Sequence, residues 1–212
     1  MAAFPIPRGE EFANALTHGL GAAASLLAGI ALVAVAVLGG DGWRIASAAV
    51  YSLTLLLLYS ASTAYHSAPH GPLKDRLEIL DHCAIFLLIA GTYTPFTLIS
   101  LRGPWGWTLF GIVWGLAVAG VAIKLIIATR FDLLSTICYL AMGWIVVIAI
   151  EPMIQALSAT TLAWLVAGGV AYTLGTIFYR RKHVPYSHAV WHLFVLAGSL
   201  CHFIAVGAVV MV

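Results

Sequence analysis

Tyr186-Ser187-His188-Ala189-Val190-Trp191-His192 opens the last apolar segment of the chain. Its two histidines are four residues apart, so a helix places them on one face, with Cβ atoms about 5–6 Å apart. His66 ends the second apolar segment, and Asp81 lies near the start of the third. Three imidazoles and a carboxylate at a common depth are typical of a metal site. The layout of the segments tests whether these four residues lie at a common depth.

The composition indicates that lipid is the solvent of this chain. Of its 212 residues, 62% are hydrophobic and only 8% are charged, whereas soluble domains carry about 25% charged residues. The net charge is +2, and the basic residues are spread over loops, so nucleic acid is not an expected partner. We therefore predict an integral, multi-pass protein of the cell membrane whose partners are membrane lipids.

Seven stretches are long and apolar enough to cross a bilayer, because a spanning helix needs about 20 mostly apolar residues. They are residues 15–38, 43–66, 77–100, 105–126, 132–151, 159–179 and 187–211. Short loops between them predict one all-α domain over residues 1–212, a seven-helix bundle preceded by a short cytoplasmic segment of about residues 1–14. We expect Pro95 to kink the third helix, and Gly111, Gly115 and Gly120 to let neighbouring helices approach closely.

Lysine and arginine predict the orientation of the bundle. Loops on the N-terminal side hold eight of these residues, namely Arg8, Lys74, Arg76, Lys124, Arg130, Arg180, Arg181 and Lys182, whereas the opposite side holds only Arg44 and Arg102. Cytoplasmic loops carry the excess of positive charge. The N-terminus is therefore predicted in the cytoplasm and the C-terminus outside the cell.

This topology brings the chemically active residues to one depth. His66 falls at the cytoplasmic end of segment two, Asp81 in the first turn or two of segment three, and the His188/His192 pair in the first two turns of segment seven. At 1.5 Å of rise per residue they share a slab about 10 Å thick. The alternative is that they are ordinary residues at the headgroup interface, but ionisable groups within spans are rare and usually functional.

Three neutral imidazoles suit zinc, which in catalytic sites takes three protein ligands and keeps a water in the fourth position. We predict His66, His188 and His192 as the ligands. Asp81 is either an outer group that orients a histidine or takes a proton from the water, or a fourth ligand that closes the site. Ser62 lies four residues before His66 on the same face, within reach of a ligand's free nitrogen or of the water.

Other polar residues are expected to lie away from the metal. Glu11, Asn14 and His18 form a stripe that fits a helix start at headgroup level, with closure of the cytoplasmic mouth as the alternative. His82 is about 100° around the helix from Asp81, and His202 lies about 15 Å deeper than His192. We therefore expect neither His82 nor His202 to bind the same metal.

Five short motifs occur in order along the chain: Glu11-x-x-Asn14-x-x-Thr17-His18, Ser62-x-x-x-His66, Leu80-Asp81-His82, Gly91-Thr92-Tyr93-Thr94-Pro95-Phe96 and His188-x-x-x-His192. Together they resemble the hemolysin III branch of the progestin and adiponectin receptor family, and the resemblance covers nearly the whole chain. It implies a seven-helix bundle with its N-terminus inside. It also implies zinc on the three histidines, with Asp81 and Ser62 matching the family positions that hold the water.

The resemblance implies a zinc-dependent, ceramidase-like hydrolase of a lipid amide or ester, linked to membrane lipid homeostasis. Two non-enzymatic alternatives stay open. One is a lipid sensor, similar to a receptor, in which zinc is structural. The other is a pore-forming cytolysin, although the polar residues are expected to stop near the inner face, which argues against a wide pore.

Overall fold

The computed structural model describes residues 7–128 and 130–211 of the chain, and the described part is almost entirely helical. Seven helical segments in it are long and apolar enough to cross a membrane, which confirms that number and fits a multi-pass membrane protein. The helices are α1 (Arg8–Gly39), α2 (Gly42–Ser67), α3 (Pro72–Pro95), α4 (Pro104–Ile127), α5 (Asp132–Gly143), α6 (Ile150–Ala156), α7 (Ala159–Tyr179) and α8 (Ser187–Val210). Segment five comprises α5, a 3₁₀ turn over Ile145–Ala149, and α6.

Three boundaries differ from the sequence prediction. Helix α1 begins at Arg8, so only residues 7–14 of the predicted 1–14 segment are described, and most of these are helical. Helix α3 begins at Pro72 rather than residue 77, which places Asp81 in its third turn instead of its first or second. Segment five continues to Ala156. In each case the helix extends into polar or proline-containing sequence, which a search for long apolar stretches leaves out.

Local chemistry explains where several helices begin. The Asp41 carboxylate accepts hydrogen bonds from the backbone N–H groups of Trp43 and Arg44, both at 2.9 Å, and so caps α2. The bond from Arg44 contributes most to lowering the pKa of Asp41, because it favours the ionised form. Pro72 and Pro104 stand in the first turns of α3 and α4, where a missing N–H costs nothing.

Two interruptions of helical geometry lie within the spans. A π turn over Phe96–Ser100 follows Pro95, whereas the proline predicts a kink near Gly91, where α3 is unbroken. In segment five the chain leaves the α-helix after Gly143. The Tyr93 hydroxyl bridges this second break, because it donates to the Gly143 carbonyl at 2.7 Å and accepts from the Val146 N–H at 2.9 Å. Backbone groups released within a bilayer need such partners.

The third span is the most enclosed, because 67% of the residues in its most apolar stretch are buried. The corresponding share is 17% in segment five and in α7. Apolar side chains cover the outside of the bundle, and Leu38 is 88% exposed, as expected for a surface that faces lipid. Of the three glycines predicted to lie at helix contacts, only Gly120 does so. A Cβ on Gly120 would overlap the Phe86 ring, whereas Gly111 and Gly115 have open space beside them.

Candidate metal centre

One end of the bundle holds the beginnings of α1, α3 and α8 and the end of α2; we call it the N-terminal end. Here His66, His188 and His192 each offer a ring nitrogen, and these three nitrogens lie within 4.8 Å of one another. His66 and His192 are buried, and His188 is partly buried. The predicted trio is therefore brought together as a group of histidines able to hold a metal ion.

The hydrogen bonds of two rings determine which nitrogen is free. His66 Nδ1 lies 2.7 Å from a Glu11 carboxylate oxygen, and His192 Nδ1 lies 3.2 Å from the Asn14 carbonyl oxygen. A carbonyl can only accept, so His192 Nδ1 carries the proton and its Nε2 has the lone pair. In all three histidines Nε2 is buried and has no hydrogen-bond partner among the described residues. For His66 and His192, this is the arrangement of a metal-binding histidine whose other nitrogen is held by an acceptor.

Asp81 and Ser62 lie outside this group: Ser62 is one turn before His66 on α2, and Asp81 is on α3. In the described part of the chain, no Asp81 oxygen belongs to the set of potential ligand atoms within 4.8 Å of one another. Asp81 is buried and faces the Ser62 hydroxyl, but Ser62 Oγ has no well-formed hydrogen bond among the described residues.

Helix α1 contributes more to the centre than the sequence indicated. Glu11 contacts His66, and the His18 ring stacks on the His192 ring with centroids 3.4 Å apart and planes 10° apart. Asn14 and His18 are 0% and 1% exposed, so the preferred interpretation of this stripe as a headgroup-level helix start is wrong. The spacing of three and four residues was the available signal, because it puts the three side chains on one face.

Lys74 connects this part of α1 to α2 and α3. Its ammonium nitrogen lies 3.0 Å from the second Glu11 oxygen and donates to the Tyr65 and Ala68 carbonyls at 2.8 and 3.3 Å. The contact with Glu11 is an ion pair rather than an aligned hydrogen bond. Lys74 thereby binds carbonyls at the end of α2, where few partners are left within a helix; the Tyr65 carbonyl also accepts from the Ala68 N–H at 3.3 Å.

His82, which is buried, and His202, which is partly buried, have other surroundings, as expected. His82 Nε2 lies 3.4 Å from the Tyr179 hydroxyl, on the side of α3 that faces α7. His202 Nε2 donates to the Leu165 carbonyl at 3.2 Å and packs on Gly168, where an added Cβ would lie 2.2 Å from the imidazole ring. Neither belongs to the group of three.

An apolar cavity of about 140 Å³ extends from this end into the bundle; its lining includes His18, Asp81, Tyr139, Trp144, Tyr179 and Trp191. A second cavity of about 90 Å³ adjoins it and shares the lining residues Thr92, Tyr93, Gly143, Trp144, Gly169 and His202. Along the third segment the lining residues run from Asp81 to Thr97, sixteen positions or about 24 Å of helix.

Comparison with known proteins identifies the family. The sequence model described as haemolysin-III related matches residues 8–203, which include every residue of the candidate centre. The chain belongs to the haemolysin-III related family. The resemblance inferred from the five motifs is thereby confirmed.

Haemolysin-III relatives match over nearly their whole length. The chain is 48% identical over 197 residues to "Hemolysin-3 homolog" of Bacillus subtilis, covering 93% of this chain and 92% of that protein. It is 47% identical to "Hemolysin-3" of Bacillus cereus, covering 93% and 90%. A more distant relative is the human "Monocyte to macrophage differentiation factor", 27% identical over 93% of this chain and 83% of that protein.

Proposed function

We propose that this haemolysin-III related protein is a zinc-dependent hydrolase of a lipid amide or ester, with residues 1–212 acting as one seven-helix domain. One observation carries the proposal: three histidines converge, each with a buried Nε2 that has no hydrogen-bond partner among the described residues, next to an apolar cavity that Asp81 lines. Unpartnered buried polar atoms are uncommon in native proteins and indicate an ion, a water or a ligand.

The residues present fit zinc. Neutral imidazoles are among its preferred ligands, and three of them leave a coordination position open. The proton on His192 Nδ1 and the carboxylate on His66 Nδ1 leave both Nε2 lone pairs available. Zinc held by the three histidines would supply a Lewis acid for an acyl carbonyl and would activate water at neutral pH.

The remaining steps belong to residues of the chain. Asp81 accepts a proton from the attacking water and delivers it to the leaving nitrogen or oxygen. Ser62, which faces Asp81, orients that carboxylate. The apolar cavity takes up the acyl chain and keeps bulk water away from the reacting carbonyl. In the proposed orientation the centre lies at the cytoplasmic side of the membrane, at the depth where the carbonyl of a lipid is found.

Two non-enzymatic functions compete with this proposal. A lipid sensor would use the same three histidines to hold structural zinc and the same cavity to bind its ligand. A pore would need a polar path, and the cavity walls are almost entirely apolar. Polar residues do extend deeper than expected, since the Tyr59 and Tyr172 hydroxyls meet Ser199 Oγ at 2.7 Å. These three groups bond to one another, so they form an internal contact and not a wide aqueous path.

The decisive experiment compares wild type with Asp81→Asn in lipid nanodiscs that contain a mixed lipid extract, and measures released fatty acid by mass spectrometry. We expect Asp81→Asn to retain zinc and to lose about 10²–10⁴-fold in hydrolysis, the range that general acid–base catalysis contributes. Asp75→Asn, an exposed carboxylate change on the same helix, is the matched control and should leave the rate unchanged.

Three outcomes separate the possibilities. A parallel loss of zinc and activity in Asp81→Asn would make Asp81 a ligand. No zinc-dependent release from any lipid class by wild type would remove the enzyme proposal and favour the sensor. Release by Asp81→Asn at the wild-type rate would exclude Asp81 as the base.

A further inference from the structure

We infer that Glu11 is the residue that positions His66 for the metal, and that Lys74 holds Glu11 in place. The inference rests on the proposed metal centre and assigns a role to the first turn of α1. Three helices take part, because Glu11 lies on α1, His66 on α2 and Lys74 on α3.

The contact between Glu11 and His66 has the geometry of a strong hydrogen bond. The Glu11 Oε2 to His66 Nδ1 distance is 2.7 Å, and the imidazole side chain is fully buried. A carboxylate that accepts the Nδ1 proton fixes both the tautomer and the orientation of the ring. His66 Nε2 is then the nitrogen with the lone pair, and it is the buried atom without a partner.

Glu11 itself is not available as a ligand in this arrangement. One of its oxygens binds His66 and the other is paired with the Lys74 ammonium group at 3.0 Å. The set of potential ligand atoms within 4.8 Å of one another, taken over the described residues, contains no Glu11 atom. Its contacts therefore act on the metal through His66.

Lys74 is itself well fixed, which is what a supporting residue requires. It is 7% exposed, it donates to two carbonyls at the end of α2, and its ammonium nitrogen lies 4.5 Å from the centre of the Tyr65 ring. His66 lies in the same last turn of α2 as Tyr65. Lys74 therefore fixes the carboxylate relative to the backbone that carries the ligand.

The second buried ligand is held differently, which makes Glu11 the informative position. His192 Nδ1 lies 3.1 Å from the Thr17 hydroxyl and 3.2 Å from the Asn14 backbone carbonyl, and no side-chain substitution removes the second of these acceptors. The acceptor for His66 is a side chain, so one mutation can remove the contact that orients the ring while the ring itself stays in place. Glu10, the adjacent carboxylate in the same turn, provides a matched control, because no side-chain ion pair or hydrogen bond of Glu10 occurs among the described residues.

The test measures zinc affinity of the full chain in nanodiscs by competition with a chelator, without any lipid substrate. Loss of an outer partner of a metal ligand typically costs 10–100-fold in affinity, and we expect a loss in that range for Glu11→Ala. Glu10→Ala should bind zinc as wild type does. Glu11→Gln should recover part of the loss, because an amide oxygen can still accept the Nδ1 proton. The Glu11→Gln variant also tests the role of Glu11 if the Glu11→Ala variant fails to fold.

Lys74 is tested by a double-mutant comparison. Lys74→Met removes the charge and keeps the length of the side chain, and it should weaken zinc binding by a smaller factor than Glu11→Ala. In the Glu11→Ala background the same change should have little further effect, since residues acting through one contact are not additive. Full additivity would show that Lys74 acts only on the end of α2.

Unchanged zinc affinity in Glu11→Ala, or an equal loss in Glu10→Ala, would overturn the role of Glu11. A wild-type protein that binds no zinc would overturn it together with the metal centre. Zinc binding that depends on Glu11, without hydrolysis of any lipid, would support the inference while removing the enzymatic part of the proposed function.

Discussion

At the scale of single residues, the spacing rules of helices predicted the three histidines correctly as neighbours. His188 and His192 are four apart on α8, and their ring centroids lie 4.6 Å apart. His66 reaches them from α2, with centroids at 4.9 and 5.1 Å. The sequence could predict this because the period of the helix and the order of the spans fix both the face and the depth.

A metal analysis checks the ligands at this scale. We expect purified protein to contain about one zinc per chain, since three histidines bind one ion. His188→Ala and His192→Ala should each lose most of it, because each removes one of the converging nitrogens. His202→Ala is the control and should keep the zinc, because its imidazole bonds to the Leu165 carbonyl elsewhere in the bundle. Full zinc occupancy in the triple variant lacking His66, His188 and His192 would exclude the proposed ligands.

The contribution of α1 could not be predicted at the same scale. Glu11, Asn14 and His18 lie on one face, but their spacing does not say whether that face turns toward headgroups or toward α2 and α8. The answer depends on the rotation of α1 in the bundle, which packing sets. Gly21 is one such contact, because a Cβ there would lie 2.8 Å from the Tyr59 ring.

At the scale of helices, apolar runs and breakers predicted the seven segments, but not the interruption of the fifth. The break after Gly143 exists together with Tyr93, a residue fifty positions earlier that supplies the missing hydrogen bonds. No local pattern in segment five reveals such a partner. For this reason the sequence predicts a continuous helix in segment five.

Tyr93→Phe tests whether that hydroxyl stabilises the interrupted helix. Removing it leaves the Gly143 carbonyl and the Val146 N–H without their partner in a membrane-spanning segment, where water does not replace it. A polar group that loses its hydrogen bond away from water costs about 1–3 kcal/mol. We expect a clearly lower unfolding midpoint in a thermal or denaturant titration in detergent. Tyr51→Phe is the control, because the Tyr51 hydroxyl is buried without a partner among the described residues, so its removal should be neutral or stabilising. Equal effects of both changes would contradict the bridging role.

At the scale of the whole molecule, the orientation in the membrane remains a prediction from the basic residues. Eight of ten lie on the N-terminal side of the bundle. Reporter fusions after Val212 should behave as extracytoplasmic, and fusions within residues 180–183 as cytoplasmic. The reverse pattern would place the histidine centre at the outer face, and the lipid substrate would then have to come from the outer leaflet.

Trp191 gives the centre an optical readout. Its indole ring lies 4.9 Å from the His188 ring and 5.2 Å from the His192 ring, and it also lines the apolar cavity. Its fluorescence therefore reports on both places at once, since the indole lies against two of the proposed ligands and against the space proposed for the acyl chain. The difference between the emission spectra of wild type and Trp191→Phe isolates this signal from the other six tryptophans of the chain. Metal uptake and lipid uptake can thus be followed in the same cuvette, in real time and without a label.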